Sequence, residues 1–312
     1  MKPLLFIRDT LIFIFSASLL VFFTGTISND FVQYELIFDQ IVNSAGPMDA
    51  VINFRYEPGF TMLYYFLSSI LTANSTFFVV AIFILFLKYL IFLKYLRYPI
   101  SAWIIYIILF IPVLDASQLR TAIASTIIIY LLLTFSSKTG VILKTIVASM
   151  FHYVALIIIL FQAYKKPILT IAMTLTFGLL INNLLKVMTG DIFKLAMHLS
   201  STTSLNKTVN YFNVISLSQL AICVFCIFNW RSLDEIQKKG GFLIIIGLSL
   251  YFIFGENPGI AHRIREVSLL GIFPLLFSNK VNFNYKSMVT YSSLFIIVLY
   301  HFVYVIDELI KI

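Results

Sequence analysis

Four short stretches in an otherwise apolar chain hold residues that can move a proton or grip an anion. "NFRYEPGF" sets Arg55 and Glu57 beside Pro58-Gly59, and "LDASQLRTAIAST" carries Asp115, Gln118 and Arg120, followed by the small residues Ala122, Ala124 and Ser125. "SMFHYVALIII" places His152 inside a run of aliphatics. "FGENPGIAHRIREVSLL" has Glu256 ahead of Asn257-Pro258-Gly259, then His262, Arg263, Arg265 and Glu266 at the start of an expected helix.

Each residue type suggests its chemistry. An arginine fork presents several donors in one plane, which suits a phosphate or diphosphate. Arg120 has a plainer alternative, snorkelling to the interface or pairing with Asp115. A neutral imidazole accepts a proton near physiological pH, so His152 is a candidate base, set against the commoner hydrogen-bonded core histidine. Glu57 is a candidate base or sugar-hydroxyl ligand whose direction the Pro-Gly turn would fix; a weak helix-start ion pair with Arg55 is the alternative. On a helix His262 and Glu266 share a face, whereas Arg263 and Arg265 project about 200° apart. One of these two arginines therefore binds and the other anchors, unless the stretch is only a charged helix entrance at the lipid interface. Tyr34, Tyr56 and Tyr211 add flat faces with hydroxyls that suit sugar rings or, equally, an interfacial belt.

The elements that position these groups are membrane segments. Of the 312 residues 60% are hydrophobic and 12% charged, too little polar surface to coat a soluble globule. Apolar runs fall at about 4–24, 58–72, 75–96, 99–114, 119–136, 140–164, 167–187, 209–230, 240–255, 261–278 and 287–306. The expectation is an all-α polytopic membrane protein with about 9–11 transmembrane or re-entrant helices. It would form a single integral membrane domain over 1–312, with 25–57 and 188–208 as outer loops. The net charge of +8 comes from bases scattered between apolar runs, which speaks for membrane orientation and against nucleic acid. Cys223 and Cys226 have zinc-like spacing but lie inside an apolar run with no second pair, and read as small helix-packing residues. No metal or cofactor is expected.

Basic residues gather at Lys2 with Arg8, Lys94 with Arg97, Lys138 with Lys144, Lys165 with Lys166, Arg231 with Lys238 and Lys239, and Lys280 with Lys286. All of these belong inside by the positive-inside rule, and the acidic stretch 25–57 outside. Strict alternation of crossings breaks this map, since Lys138 and Lys165 flank one apolar run. Two hairpins repair it, at 58–72 behind Pro58-Gly59 and at 140–164 with a bend near Phe151-His152; a positive-inside rule broken in one or two loops is the plainer alternative. Irregular backbone at that depth requires protein or a water-filled cavity around it, so both hairpins point to a cavity.

Taken in order, "Arg-x-Glu-Pro-Gly-Phe", "Leu-Arg-x-x-Ile-Ala", "Phe-His-x-x-Ala-Leu" and the arginine-rich helix entrance resemble the EpsG-like branch of the Wzy polysaccharide polymerases over about residues 30–270. Thr121 and Tyr153-Val154 depart from the pattern. The resemblance implies a GT-C-like fold and a multi-pass glycosyltransferase of the bacterial inner membrane with its active site facing the periplasm. Such an enzyme joins oligosaccharide repeat units carried on undecaprenyl pyrophosphate into O-antigen or exopolysaccharide, with a chain-length regulator and a flippase as partners. It further implies His152 and Glu57 near the reacting sugar, and Arg120, Arg263, Arg55 and Arg265 with His262 and Glu256 around the diphosphate. A flippase for lipid-linked sugars and a membrane acyltransferase are the alternatives.

Overall fold

The computed structural model describes residues 3–26, 31–53, 56–134, 138–166, 210–255, 257–278 and 285–310, with 168, 171, 172, 174–176, 178–180 and 183 between them. Among these residues every regular element is helical. A lipid environment enforces this, because a helix satisfies its own backbone polar groups. Leu5–Thr26, Ala73–Tyr95, Glu235–Ile253 and Thr290–Asp307 are long and apolar enough to cross a bilayer, and Pro99–Leu109, Leu119–Leu133, Thr139–Ser149 and Val214–Asn229 are shorter apolar helices. The chain is an all-α multi-pass membrane protein, as the composition required.

Within the expected single membrane domain the chain makes two compact units. Unit 1 takes Met1–Tyr130, Leu143–Ala155 and Val298–Ile312; unit 2 takes Leu131–Ile142 and Leu156–Ile297. Helices are numbered α1 (Pro3–Thr26), α2 (Phe31–Val42), α3 (Pro47–Asn53), α4 (Pro58–Ser68), α5 (Ala73–Tyr95), α6 (Pro99–Leu109), α7 (Leu119–Leu133) and α8 (Lys138–Ser149). After a 3₁₀ stretch (Tyr153–Ala163) come α9 (Val214–Asn229), α10 (Glu235–Ile253), α11 (Pro258–Leu269), α12 (Ile272–Phe277) and α13 (Tyr285–Ile310).

Helix starts follow local chemistry. Proline opens α4, α6 and α11, where its missing N–H is not needed. Asp234 and Gln237 form a reciprocal capping box on α10. The stretch expected as an outer loop is in large part helical, as α2 and α3, because Tyr34, Ile37, Phe38 and Ile41 make an apolar stripe that packs on α4 and α5. The other expected outer loop, 188–208, lies outside the described residues.

Both expected hairpins coincide with breaks. α4 spans only about 16 Å and α8 about 18 Å at 1.5 Å per residue, each short of a ~30 Å hydrocarbon core. α8 gives way at residues 150–152, where the bend was expected, to the 3₁₀ stretch. Near the start of α10, Lys239 Nζ donates to the Thr134 carbonyl at 2.9 Å, and Lys238 shares a cleft with Lys165. In unit 2, then, residue 134 before the break and residue 165 after it lie at one end.

The core of unit 1 is aromatic. Trp103 stacks on Tyr106 and Tyr106 on Phe110, with Tyr89 and Phe92 against Trp103. In unit 2, α10 packs on α9, α11 and α12. Small residues allow the approach: a Cβ on Gly240 would strike the Gly271 carbonyl, one on Gly271 would strike that of Gly240, and one on Gly241 would lie 2.8 Å from Cys226 Sγ. Cys223 and Cys226 are buried here, in the packing role their setting suggested.

Candidate active site

Two interrupted helices meet in unit 1. Glu57 holds the N-cap position of α4 in extended backbone, and its side chain makes no cap hydrogen bond, leaving the carboxylate to point elsewhere. Two residues on, Gly59 N–H donates to the Met150 carbonyl at 2.8 Å. A Cβ at Gly59 would lie 2.9 Å from both Met150 Cβ and Met150 O, so only glycine lets the end of α8 come this close. The docking carries His152 to the carboxylate: Nδ1 is 3.5 Å from Glu57 Oε1.

The other carboxylate oxygen belongs to Arg120, in the first turn of α7, whose Nη1 donates to Glu57 Oε2 at 2.6 Å. The guanidinium lies 5.1 Å from the Tyr56 ring centre and 5.9 Å from that of Phe60, and it also donates to the Tyr34 hydroxyl. Side-chain exposure is 14% for Arg120, 9% for Glu57 and 1% for His152, so the carboxylate bridges guanidinium and imidazole away from water. Buried charges persist when paired, and here one anion answers one fixed cation. Arg120 Nε has no hydrogen-bond partner among the described residues, which leaves a donor for another anion. Tyr56, in the turn before α4, is held above the ordinary phenol value by burial, against the pull of Arg120, and stays a neutral hydroxyl.

Asp115 is not the partner of Arg120. It pairs with Lys88 of α5, and Tyr106 donates to its second oxygen at 2.7 Å; Lys88 and Asp115 are 0% and 1% exposed. Both carboxylate oxygens are thereby taken, and Arg120 turns to Glu57. Arg55, the other partner considered for Glu57, lies outside the described residues, as does Glu256.

Unit 2 holds the remaining candidates. α11 presents Arg265 inward, 8% exposed, with Nη1 3.4 Å from Asn213 Oδ1 and 3.5 Å from the Tyr251 hydroxyl. Its guanidinium lies 5.0 Å from the Tyr251 ring centre. Asn213 Nδ2 donates to Tyr251 at 3.1 Å, and the His262 ring stands 5.9 Å from the Tyr251 ring. Arg263 is half-buried. Arg265 has no ion-pair partner among the described residues, and its Nε has no hydrogen-bond partner there either.

Unit 1 therefore brings together Glu57, Arg120 and His152, and unit 2 brings Arg265 and His262 together around Tyr251. Sequence reasoning missed Lys88, Asn213 and Tyr251. Lys88 carried a signal, a lone cation deep in an apolar helix that must find an anion. Asn213 carried a weaker one, an N-cap residue before an apolar run.

An all-α multi-pass membrane protein thus holds a carboxylate, a guanidinium and an imidazole together at the junction of broken helices, groups able to bind an anion and to move a proton. The chain belongs to the EpsG family, whose family model matches residues 8–310. That membership marks it as a polysaccharide-polymerase type of membrane protein, in general terms a glycosyltransferase. The match extends well beyond the stretch that the motifs cover. No curated protein and no solved structure matches the chain.

Proposed function

We propose that the protein joins undecaprenyl-pyrophosphate-linked oligosaccharide repeat units into O-antigen or exopolysaccharide, at the periplasmic face of a bacterial inner membrane. The observation that carries this reading is the Glu57–Arg120–His152 cluster, in a chain of this family. In the reaction the acceptor sugar hydroxyl gives its proton to His152. Its oxygen bonds to the anomeric carbon of the growing chain as the bond from that carbon to the carrier diphosphate breaks. The electron pair leaves on the diphosphate, and no nucleotide sugar enters.

The cluster divides the labour. Glu57, paired with Arg120, orients His152 and stabilises the imidazolium that forms as His152 takes the proton. Fixed cations aimed at the leaving diphosphate stabilise the charge that develops there. Arg120 retains donors beyond Glu57 for a carrier diphosphate, and within unit 2 Arg265, with His262 also against Tyr251, is a separate cationic group suited to a diphosphate. The Tyr56 and Tyr34 hydroxyls suit sugar contacts.

The test is a polysaccharide ladder on a gel from a strain lacking the gene, complemented in turn with wild type, His152→Ala and Arg120→Lys. Wild type restores the ladder, His152→Ala leaves single carrier-linked repeats at equal protein level, and Arg120→Lys shortens the polymer because charge survives but the fork does not. A full ladder from His152→Ala refutes the assigned base. Repeats trapped inside the deletion strain would make the protein a carrier of lipid-linked sugars instead.

A further inference from the structure

Away from the proposed chemistry, unit 2 has a second cationic site. Tyr164 and Lys165 follow the 3₁₀ stretch, Trp230 and Arg231 follow α9, and Glu235 and Lys238 begin α10; together they line a cleft of about 460 Å³. Three bases thus face one acid. Tyr164 donates its hydroxyl to Glu235, and Glu235 also sits in the first turn of α10, where the helix end favours a negative charge. Lys165, Arg231 and Lys238 have no ion-pair partner among the described residues. The cleft is left with an excess of two positive charges, counting three bases against one acid.

An apolar groove of about 550 Å³ continues from this cleft and shares Trp230 and Arg231 with it. Its walls include Phe228 and Ile168, 83% and 81% exposed. Two apolar helices, α9 and α10, both end at this connection, which places it at a membrane–water boundary, where tryptophan concentrates. Cation above and grease beside it fit one molecule with a phosphodiester and acyl chains. We propose that this cleft is a specific site for an anionic glycerophospholipid, with the phosphodiester between Arg231, Lys165 and Lys238 and an acyl chain along Phe228. A free phosphate would use the bases but not the groove. The site is independent of the polymerase reading.

The experiment is native mass spectrometry of the full-length protein in detergent, titrated separately with dioleoylphosphatidylglycerol and dioleoylphosphatidylcholine, with and without inorganic phosphate. Wild type retains the anionic lipid in preference, Arg231→Ala/Lys238→Ala weakens that binding on the order of tenfold, and Arg231→Lys/Lys238→Arg restores it. Inorganic phosphate leaves the lipid adduct in place. Equal retention of the two lipids, unchanged binding by the double alanine variant, or displacement by inorganic phosphate each overturns the proposal. Arg231 is exposed, so Arg231→Ala alone repeats the test if the double variant does not fold.

Discussion

Each unit buries an arginine, and the two are held in opposite ways. Arg120 of unit 1 rests on a carboxylate at 2.6 Å, whereas Arg265 of unit 2 meets a phenol and an amide oxygen at 3.5 and 3.4 Å. A buried charge answered by a buried counter-charge is a closed arrangement: removing either member strands the other. Neutral dipoles at long hydrogen-bonding range stabilise a guanidinium less, and they leave its field open to an incoming anion. Among the described residues, unit 1 thus fixes its arginine against an anion, and unit 2 sets its arginine against neutral groups alone.

The sharpest way to break this comparison is Glu57→Gln. It leaves Arg120 buried without its anion and His152 without its partner, so about 3–5 kcal/mol of stability is lost together with polymer formation. Adding Arg120→Gln to that variant recovers most of the stability and none of the polymer. Thermal melts of the purified proteins, read beside the gel ladder, check both halves; a single variant that melts like wild type would show that the pair is not closed.

Lys88→Met applies the same logic to the other closed pair of unit 1. Asp115 is stranded at 1% exposure, and a loss of about 3–5 kcal/mol is expected. Because Asp115 stands in the irregular stretch that leads into α7, the ladder shortens as Arg120 loses its fixed position. Lys88→Met/Asp115→Leu restores the melting temperature, and failure to do so would remove the pair from its positioning role.

A smaller effect is expected at Gly59→Ala. Pushing Met150 away by a methyl group costs about 1–3 kcal/mol, the usual range for overpacking. It also lengthens the 3.5 Å separation of His152 and Glu57, so the variant forms less polymer than its stability alone would dictate. Polymer yield per folded molecule is the measurement, and an unchanged yield would mean that the close approach of the two broken helices serves packing alone.

How far these arrangements were legible beforehand depended on the distance over which each signal acts. Composition and run length gave the membrane class, because every residue in lipid must obey the same rule. The bend at Phe151-His152 followed from a conflict of charge between Lys138 and Lys165, and Pro58-Gly59 announced the start of α4. Pairing was not legible. Asp115 stands five residues before Arg120 and looked like its partner, yet Lys88, from another helix, takes it. Glu57 is reached by Arg120 across 63 positions, a partner that no local spacing announced. Ion pairs form between elements that packing brings together, and spacing along one chain does not encode that. The helical character of 31–53 was obscured by its acidic residues, though the stripe of Tyr34, Ile37, Phe38 and Ile41 was there to be found.

Arg265→Met makes the finest cut. Methionine is apolar, flexible and able to fill much of the space of the arginine stem, and removal of the guanidinium strands no carboxylate among the described residues. The melting temperature should shift by what about 1 kcal/mol produces, or less, and in either direction, since a buried cation replaced by a hydrophobe is often neutral or stabilising. The functional effect should exceed the structural one, with polymer shortened and protein level retained. A loss of stability as large as that of Glu57→Gln would show that Arg265 is held by an internal anion after all. The two arginines would then be alike, and the proposed anion-binding role in unit 2 would pass to Arg263.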